Sequence, residues 1–66
     1  MLEMLRGLFE QGYRFVEESY YGSDVTEDFE DVEDAVTECE DSEYLSFQYE
    51  VDHDRREVHY MIEDDE

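Results

Sequence analysis

The sequence predicts a small two-layer α+β domain in the order α-β-α-β-β, with α-α-β-β as the alternative. Three patterns predict it. Large apolar residues alternate over residues 45–62, which is the period of a half-buried strand pair. Apolar residues recur at steps of four and three over residues 25–39, which is the period of an amphipathic helix. The first dozen residues carry a shorter helical stripe that meets a glycine. A chain of 66 residues forms one domain with one modest core, since only about 60% of the unfolded surface is buried at this size. The domain is expected over residues 1–62, with residues 63–66 as an acidic tail.

The opening helix runs from Leu2 to about Gln11, with Leu5, Leu8 and Phe9 on one face and Glu3 and Glu10 on the other. Gly12 fits the position just past a helix end, where a left-handed backbone is needed. "YRFVEESYY" then favours a strand by its Tyr, Phe and Val content, although Val16 and Tyr20 also continue the helical stripe. "GSD" at 22–24 reads as a turn, and Asp24 followed by Glu27 has the form of a capping box. From there Val25, Phe29, Val32, Val36 and Cys39 form a narrow apolar seam on a helix ending near Glu40.

The C-terminal third reads as an antiparallel β-hairpin. Centring its turn on Asp54-Arg55 pairs Val51 with Val58, Tyr49 with Tyr60 and Phe47 with Ile62, all on one face. Glu50 then faces His59 on the other side. An isolated hairpin is marginal in water, so a third strand from residues 13–21 is expected, or else a homodimer through a hairpin edge.

The composition excludes several functions. Asp and Glu number 23 against four basic residues, all Arg, for a formal charge of −19. Charge of that size repels nucleic acid and anionic membranes, and it attracts basic protein clefts. Direct nucleic-acid binding is further disfavoured by the lack of a basic patch or a phosphate-cradling glycine loop. Ten aromatics and a 39% hydrophobic fraction argue against a disordered acidic tail. Cys39 stands alone, so no intramolecular disulfide forms. "MLEMLRGLFEQG" lacks the features of a secretory leader, and no apolar run approaches about 18 residues, so a cytoplasmic protein is expected.

No enzymatic chemistry is expected. The carboxylates lie on a face that should be solvated, whereas catalytic carboxylates need environments that separate their pKa values. Cys39 falls on the apolar seam, the setting of a buried structural thiol. Asp52–Glu63 matches a calcium loop at positions one, three and twelve, but Arg56 and Glu57 stand where a ligand and the obligatory Gly belong. His53, His59 and Cys39 lack zinc-ligand spacing. No cofactor or metal is therefore expected.

The unusual feature is "TEDFEDVEDAVTECEDSE", residues 26–43, with ten carboxylates and no basic residue. Read as a helix over 24–43, the segment spans about 30 Å. Its carboxylates, Asp24 included, then fall about 2.7 Å apart along the axis, against about 1.7 Å per charge in duplex DNA. In charge, size and helix layout the chain resembles the small acidic DNA-mimic proteins that bacteriophages make against host restriction, uracil-repair, nucleoid or CRISPR proteins. That resemblance implies an inhibitor that occupies the DNA site of a basic DNA-binding host protein. The residues expected to carry the contact are Glu27, Asp28, Glu30, Asp31, Glu33, Asp34, Glu38, Glu40 and Asp41, with Glu63, Asp64, Asp65 and Glu66 assisting. Tyr21 and Tyr44, near element ends, are expected as apolar anchors. The alternatives are a small halophile or accessory domain whose charge serves solubility, and an antitoxin-like or chaperone-like binder of one basic protein. Against a proteome-wide acidic bias, the chain has one Ala, three Gly and no Pro.

Overall fold

Leu2, Leu5, Leu8 and Phe9 share one side of helix α1 (Leu2–Glu10), and Leu5 is fully buried. The helix stops where expected. Gly12 adopts φ +92°, a conformation that a side chain would strain, and Tyr13 N–H donates to the Leu8 carbonyl at 3.1 Å. This turn redirects the chain into strand β1 (Arg14–Ser19), so the strand alternative for "YRFVEESYY" is the one adopted.

The computed structural model, which describes residues 1–64, continues with β2 (Gly22–Thr26), α2 (Phe29–Glu40), β3 (Leu45–Asp52) and β4 (Glu57–Asp64). The chain is α+β, and its order is α-β-β-α-β-β. The four strands form one sheet in the order β2-β1-β4-β3. The outer pairings are antiparallel, and the central β1–β4 pairing is parallel.

Strand β2 corrects the sequence reading. Residues 22–24 are not a turn, and the helix does not begin at Asp24. Instead Tyr20 and Tyr21 form a two-residue loop closed by the Ser19–Gly22 pair, with Gly22 at φ +135°. The Ser19 hydroxyl donates to the Gly22 carbonyl at 3.1 Å and accepts from Tyr21 N–H at 3.3 Å. Val25 pairs with Val16 across the hairpin and lies outside the helical seam. Its place four residues before Phe29 suits a helix, but backbone pairing with β1 satisfies more donors and acceptors than a first helical turn would. The N-cap of α2 lies four residues later than Asp24, at Asp28. Asp28 has an extended backbone, and its carboxylate accepts from Glu30 N–H at 3.1 Å.

The hairpin β3–β4 has the expected register: Val51 opposite Val58, Tyr49 opposite Tyr60, Phe47 opposite Ile62 and Glu50 opposite His59. Its loop is organised by Asp52, whose carboxylate accepts from the backbone N–H groups of Asp54 and Arg55 at 3.0 and 3.1 Å. The expected tail is partly strand, because Glu63 and Asp64 pair with Ser46 and Leu45. Asp65 and Glu66 lie outside the described residues.

Both helices cover one face of the sheet. The core consists of Leu5 from α1, Phe29, Val32 and Ala35 from α2, and Phe15, Val58 and Tyr60 from the strands. Aromatic rings join the layers edge to face: Phe15 lies 5.7 Å from Phe9 and 5.9 Å from Phe29, centroid to centroid. Phe47 stacks on Tyr60 at 5.6 Å. Residues of opposite parity, among them Val16, Glu18, Val25, His59 and Met61, belong to the sheet face that neither helix covers.

Candidate partner-binding surface

Helix α2 buries Phe29, Val32, Ala35, Val36 and Cys39, which leaves every carboxylate on its remaining surface. Glu30, Asp31, Asp34, Glu38 and Glu40 are exposed, and Glu33 is half-buried. Twelve residues make a rod of about 18 Å at 1.5 Å per residue, shorter than the 30 Å expected from residues 24–43. Six carboxylates on it give one per about 3 Å, so the density nearly survives the shortening. Glu27 and Asp28 precede the helix, and Asp41 follows as its C-cap residue. Asp24 lies on β2.

These acids are not equivalent. Asp28 serves as the N-cap, and Glu30 and Asp31 sit in the first turn, where the positive end of the helix dipole favours negative charge. Glu33 pairs with Arg6 of α1, whose guanidinium also lies 5.0 Å from the centroid of the Phe29 ring. At the other end the logic reverses. Glu38, Glu40 and Asp41 crowd the negative end of the dipole, and the last turn has no basic residue. Their placement opposes helix stability.

Three α2 acids, Asp31, Asp34 and Glu38, share a stripe that meets two carboxylates absent from the expected set. Glu17 of β1 and Asp24 of β2 face them across an open groove of about 340 Å³, with Ala35 and Ile62 also in its lining. Sequence reasoning missed Glu17 because its signal, same-face parity with Phe15, required knowing that residues 14–19 are a strand. Within the groove wall the Tyr60 hydroxyl hydrogen-bonds the Thr26 hydroxyl. Burial raises the Tyr60 pKa; the Thr26 bond works against this rise, and the charges of Glu17 and Asp31 add to it.

Glu63 and Asp64, at the end of β4, pair with Ser46 and Leu45 at the start of β3, a few residues past the Asp41 C-cap of α2. Tyr21 and Tyr44 are both exposed, and Tyr21 makes an edge-to-face pair with Tyr20 at 5.3 Å on the β1–β2 loop. Cys39 is buried, and burial followed by the neighbouring Glu38 charge raises its pKa. Among the described residues no three His, Cys, Asp or Glu side chains converge as a metal site, and no helix is long and apolar enough to cross a membrane.

His59 was assigned no role from sequence beyond facing Glu50. Its Nδ1 lies 2.7 Å from a Glu18 carboxylate oxygen on β1, and its Nε2 lies 3.2 Å from Glu57 on its own strand. Both ring nitrogens therefore face acceptors, which favours the doubly protonated ring. The hydrogen bond to Glu18 and then that to Glu57 raise its pKa, against a smaller lowering by desolvation. The pair ties β1 to β4 on the uncovered face.

Comparison with protein-family models, curated proteins and solved structures gives no match.

Proposed function

We propose that the protein is an acidic DNA mimic that binds a basic DNA-binding protein at its DNA site and inhibits it. The observation that carries this reading is the carboxylate array of α2. It is nearly continuous, it lies on a rigid rod, and Arg6 is its single cationic partner among the described residues. It also extends into the last helical turn, where charge of this sign costs stability. A cleft built to hold phosphates meets a similar charge spacing, and association releases counterions as DNA binding does. Phage origin, and a restriction, CRISPR, nucleoid or repair factor as target, belong to the same proposal. So does a cytoplasmic site of action.

The test uses Glu30→Gln, Asp31→Asn, Asp34→Asn and Glu38→Gln together. A basic partner is first captured from a bacterial lysate and eluted with a salt gradient. The quadruple variant should keep the fold, bind that partner far more weakly and show a shallower salt dependence. Duplex DNA and the protein should exclude each other from the partner. A ternary complex with DNA held at full affinity would defeat the mimicry.

One observation favours a second reading, a charge that serves solubility in high salt. Carboxylates also populate the face and loop away from α2, at Glu50, Asp52, Asp54 and Glu63. A requirement for molar salt to fold would support that reading.

A further inference from the structure

We infer that the uncovered face of the sheet is a second docking surface, and that its occupant is a basic amphipathic helix of a partner protein. The inference is independent of the α2 array and stands if DNA mimicry falls.

Three observations carry it. The sheet is mixed, a parallel pair β1–β4 flanked by two antiparallel pairs, and a face of such a sheet needs cover only where it carries apolar side chains. Here α1 and α2 cover one face alone. Next, the open face has an apolar strip. Val16 pairs with Val25 and His59, and Met61 follows His59 by two residues on the same side. Val16 is 8% exposed, while Val25 at 47% and Met61 at 40% leave much of their surface in water. Apolar side chains left this open beside polar groups offer a partner surface to bury. Finally, the face is acidic: Glu18, Glu50 and Glu63 share it with the strip. The cations on the face are Arg14 and His59, and His59 is already held between Glu18 and Glu57. The charge left over is negative.

The chemistry of the occupant follows from this contrast. The outward side of α2 offers charge without exposed apolar surface, so it steers a basic partner from a distance without discriminating among them. The open sheet face combines exposed apolar side chains, Val25 and Met61, with acidic neighbours. That combination matches an amphipathic helix with an apolar stripe and Lys or Arg on its flanks. A helix of about 15 residues is about 22 Å long, comparable with the about 26 Å of an eight-residue strand such as β4. A second copy of this chain is a poor occupant, because two faces of the same charge would meet.

The probe is a synthetic helical peptide of about 15 residues, with Leu at helical spacing and Lys elsewhere. A scrambled peptide of identical composition is the control. In an NMR titration of the full chain, the amphipathic peptide should shift Val16, Val25, His59 and Met61, leaving α2 nearly unmoved. The double variant Val25→Thr, Met61→Gln should weaken that peptide by about tenfold or more while leaving the scrambled peptide's affinity unchanged. Melting of the variant within a few degrees of the parent would show that the sheet is intact. Met61→Gln alone is the fallback should the double variant unfold. Equal affinity for the two peptides, or shifts confined to α2, would overturn the inference. So would a dimer in sedimentation that the Met61 variant dissolves, since a second copy would then be the occupant.

Discussion

Neutralising the C-terminal acids of α2 should stabilise the protein. Glu38→Gln, Glu40→Gln and Asp41→Asn together remove three negative charges from the negative end of a helix dipole with no basic residue in its last turn. Each such charge costs about 0.3–1 kcal/mol at low ionic strength. Glu38 also stands four residues from Asp34, a like-charge spacing worth about 0.2–0.5 kcal/mol. Neighbouring charges do not add in full, so the triple variant should gain about 1–2 kcal/mol, the lower part of that sum. For a domain of this size that corresponds to a melting temperature higher by roughly 5–15 °C. Thermal unfolding followed by far-ultraviolet circular dichroism at about 10 mM salt reads the gain. At about 0.5 M sodium chloride the screening length falls to about 4 Å and most of the gain should vanish. The control is the other end, where Glu30→Gln and Asp31→Asn remove favourable dipole interactions and should not stabilise to the same degree. A triple variant that melts lower than the parent at low salt would refute the reasoning, because these acids would then be paired or hydrogen-bonded in a way that the fold conceals. A partner that binds the stabilised variant more weakly would show stability and binding trading against each other.

Sodium chloride added from very low to moderate concentration should raise the melting temperature of the parent, since screening weakens repulsion among exposed carboxylates; flat or falling melting would contradict the assignment of those acids as uncompensated. His59 should make stability depend on pH. Its pKa is raised in the folded state, so its contribution is complete below the unfolded value of about 6.5 and is lost as pH rises through the folded value. His59→Gln should accordingly cost most near pH 5.5, by less than about 1 kcal/mol for so exposed a pair, and nothing near pH 9. A cost independent of pH in urea unfolding would mean that the ring acts by packing alone. The Cys39 thiol, buried and raised in pKa, should react with a thiol reagent at the rate of global unfolding, and fast labelling under native conditions would place it at the surface.

Much of this fold is legible in the sequence because several of its elements satisfy two demands with the same residues. The hairpin register was readable since a turn centred on Asp54-Arg55 puts Phe47, Tyr49, Val51, Val58, Tyr60 and Ile62 on a single face, and a one-residue slip would turn one strand's set to water. Gly12 was readable because the end of a helix and a positive φ coincide there. Strand β2 was not readable. "GSDVT" has turn residues at its start and one apolar residue, Val25, whose spacing suits the following helix as well as the preceding strand. Five residues with one apolar side chain carry no period to measure. Long-range pairing with β1 decided the matter, and a single sequence does not display it. The same gap hid Glu17 and misplaced Asp24 as a helix cap; both join the α2 stripe because β1 and β2 bring them there. It also hid the role of His59, whose partner Glu18 lies on a parallel neighbour distant in sequence.

The carboxylates divide by what they do for the fold, and the division bears on function. Asp28 caps a helix, Asp52 organises a turn, Glu33 holds Arg6, and Glu18 and Glu57 hold His59. Those acids are accounted for by structure. Asp34, Glu38, Glu40 and Asp41 belong to a different class. They accept no hydrogen bond and form no ion pair among the described residues, and the last three oppose the dipole of the helix that bears them. Solubility requires negative charge somewhere on the surface, and loops or first helical turns provide it at no loss of stability. A charge placed at a cost, on a rod and in line with the acids before it, answers a requirement for position and not merely for number. Recognition by a phosphate-binding cleft imposes such a requirement. If it is the cause, moving those charges should abolish binding even when their number is kept: Glu38→Gln and Glu40→Gln combined with Ser46→Glu and Gln48→Glu on β3 would leave the net charge unchanged and the α2 array broken. Partner affinity should fall as it does for simple neutralisation, whereas undiminished affinity would show that net charge alone is recognised.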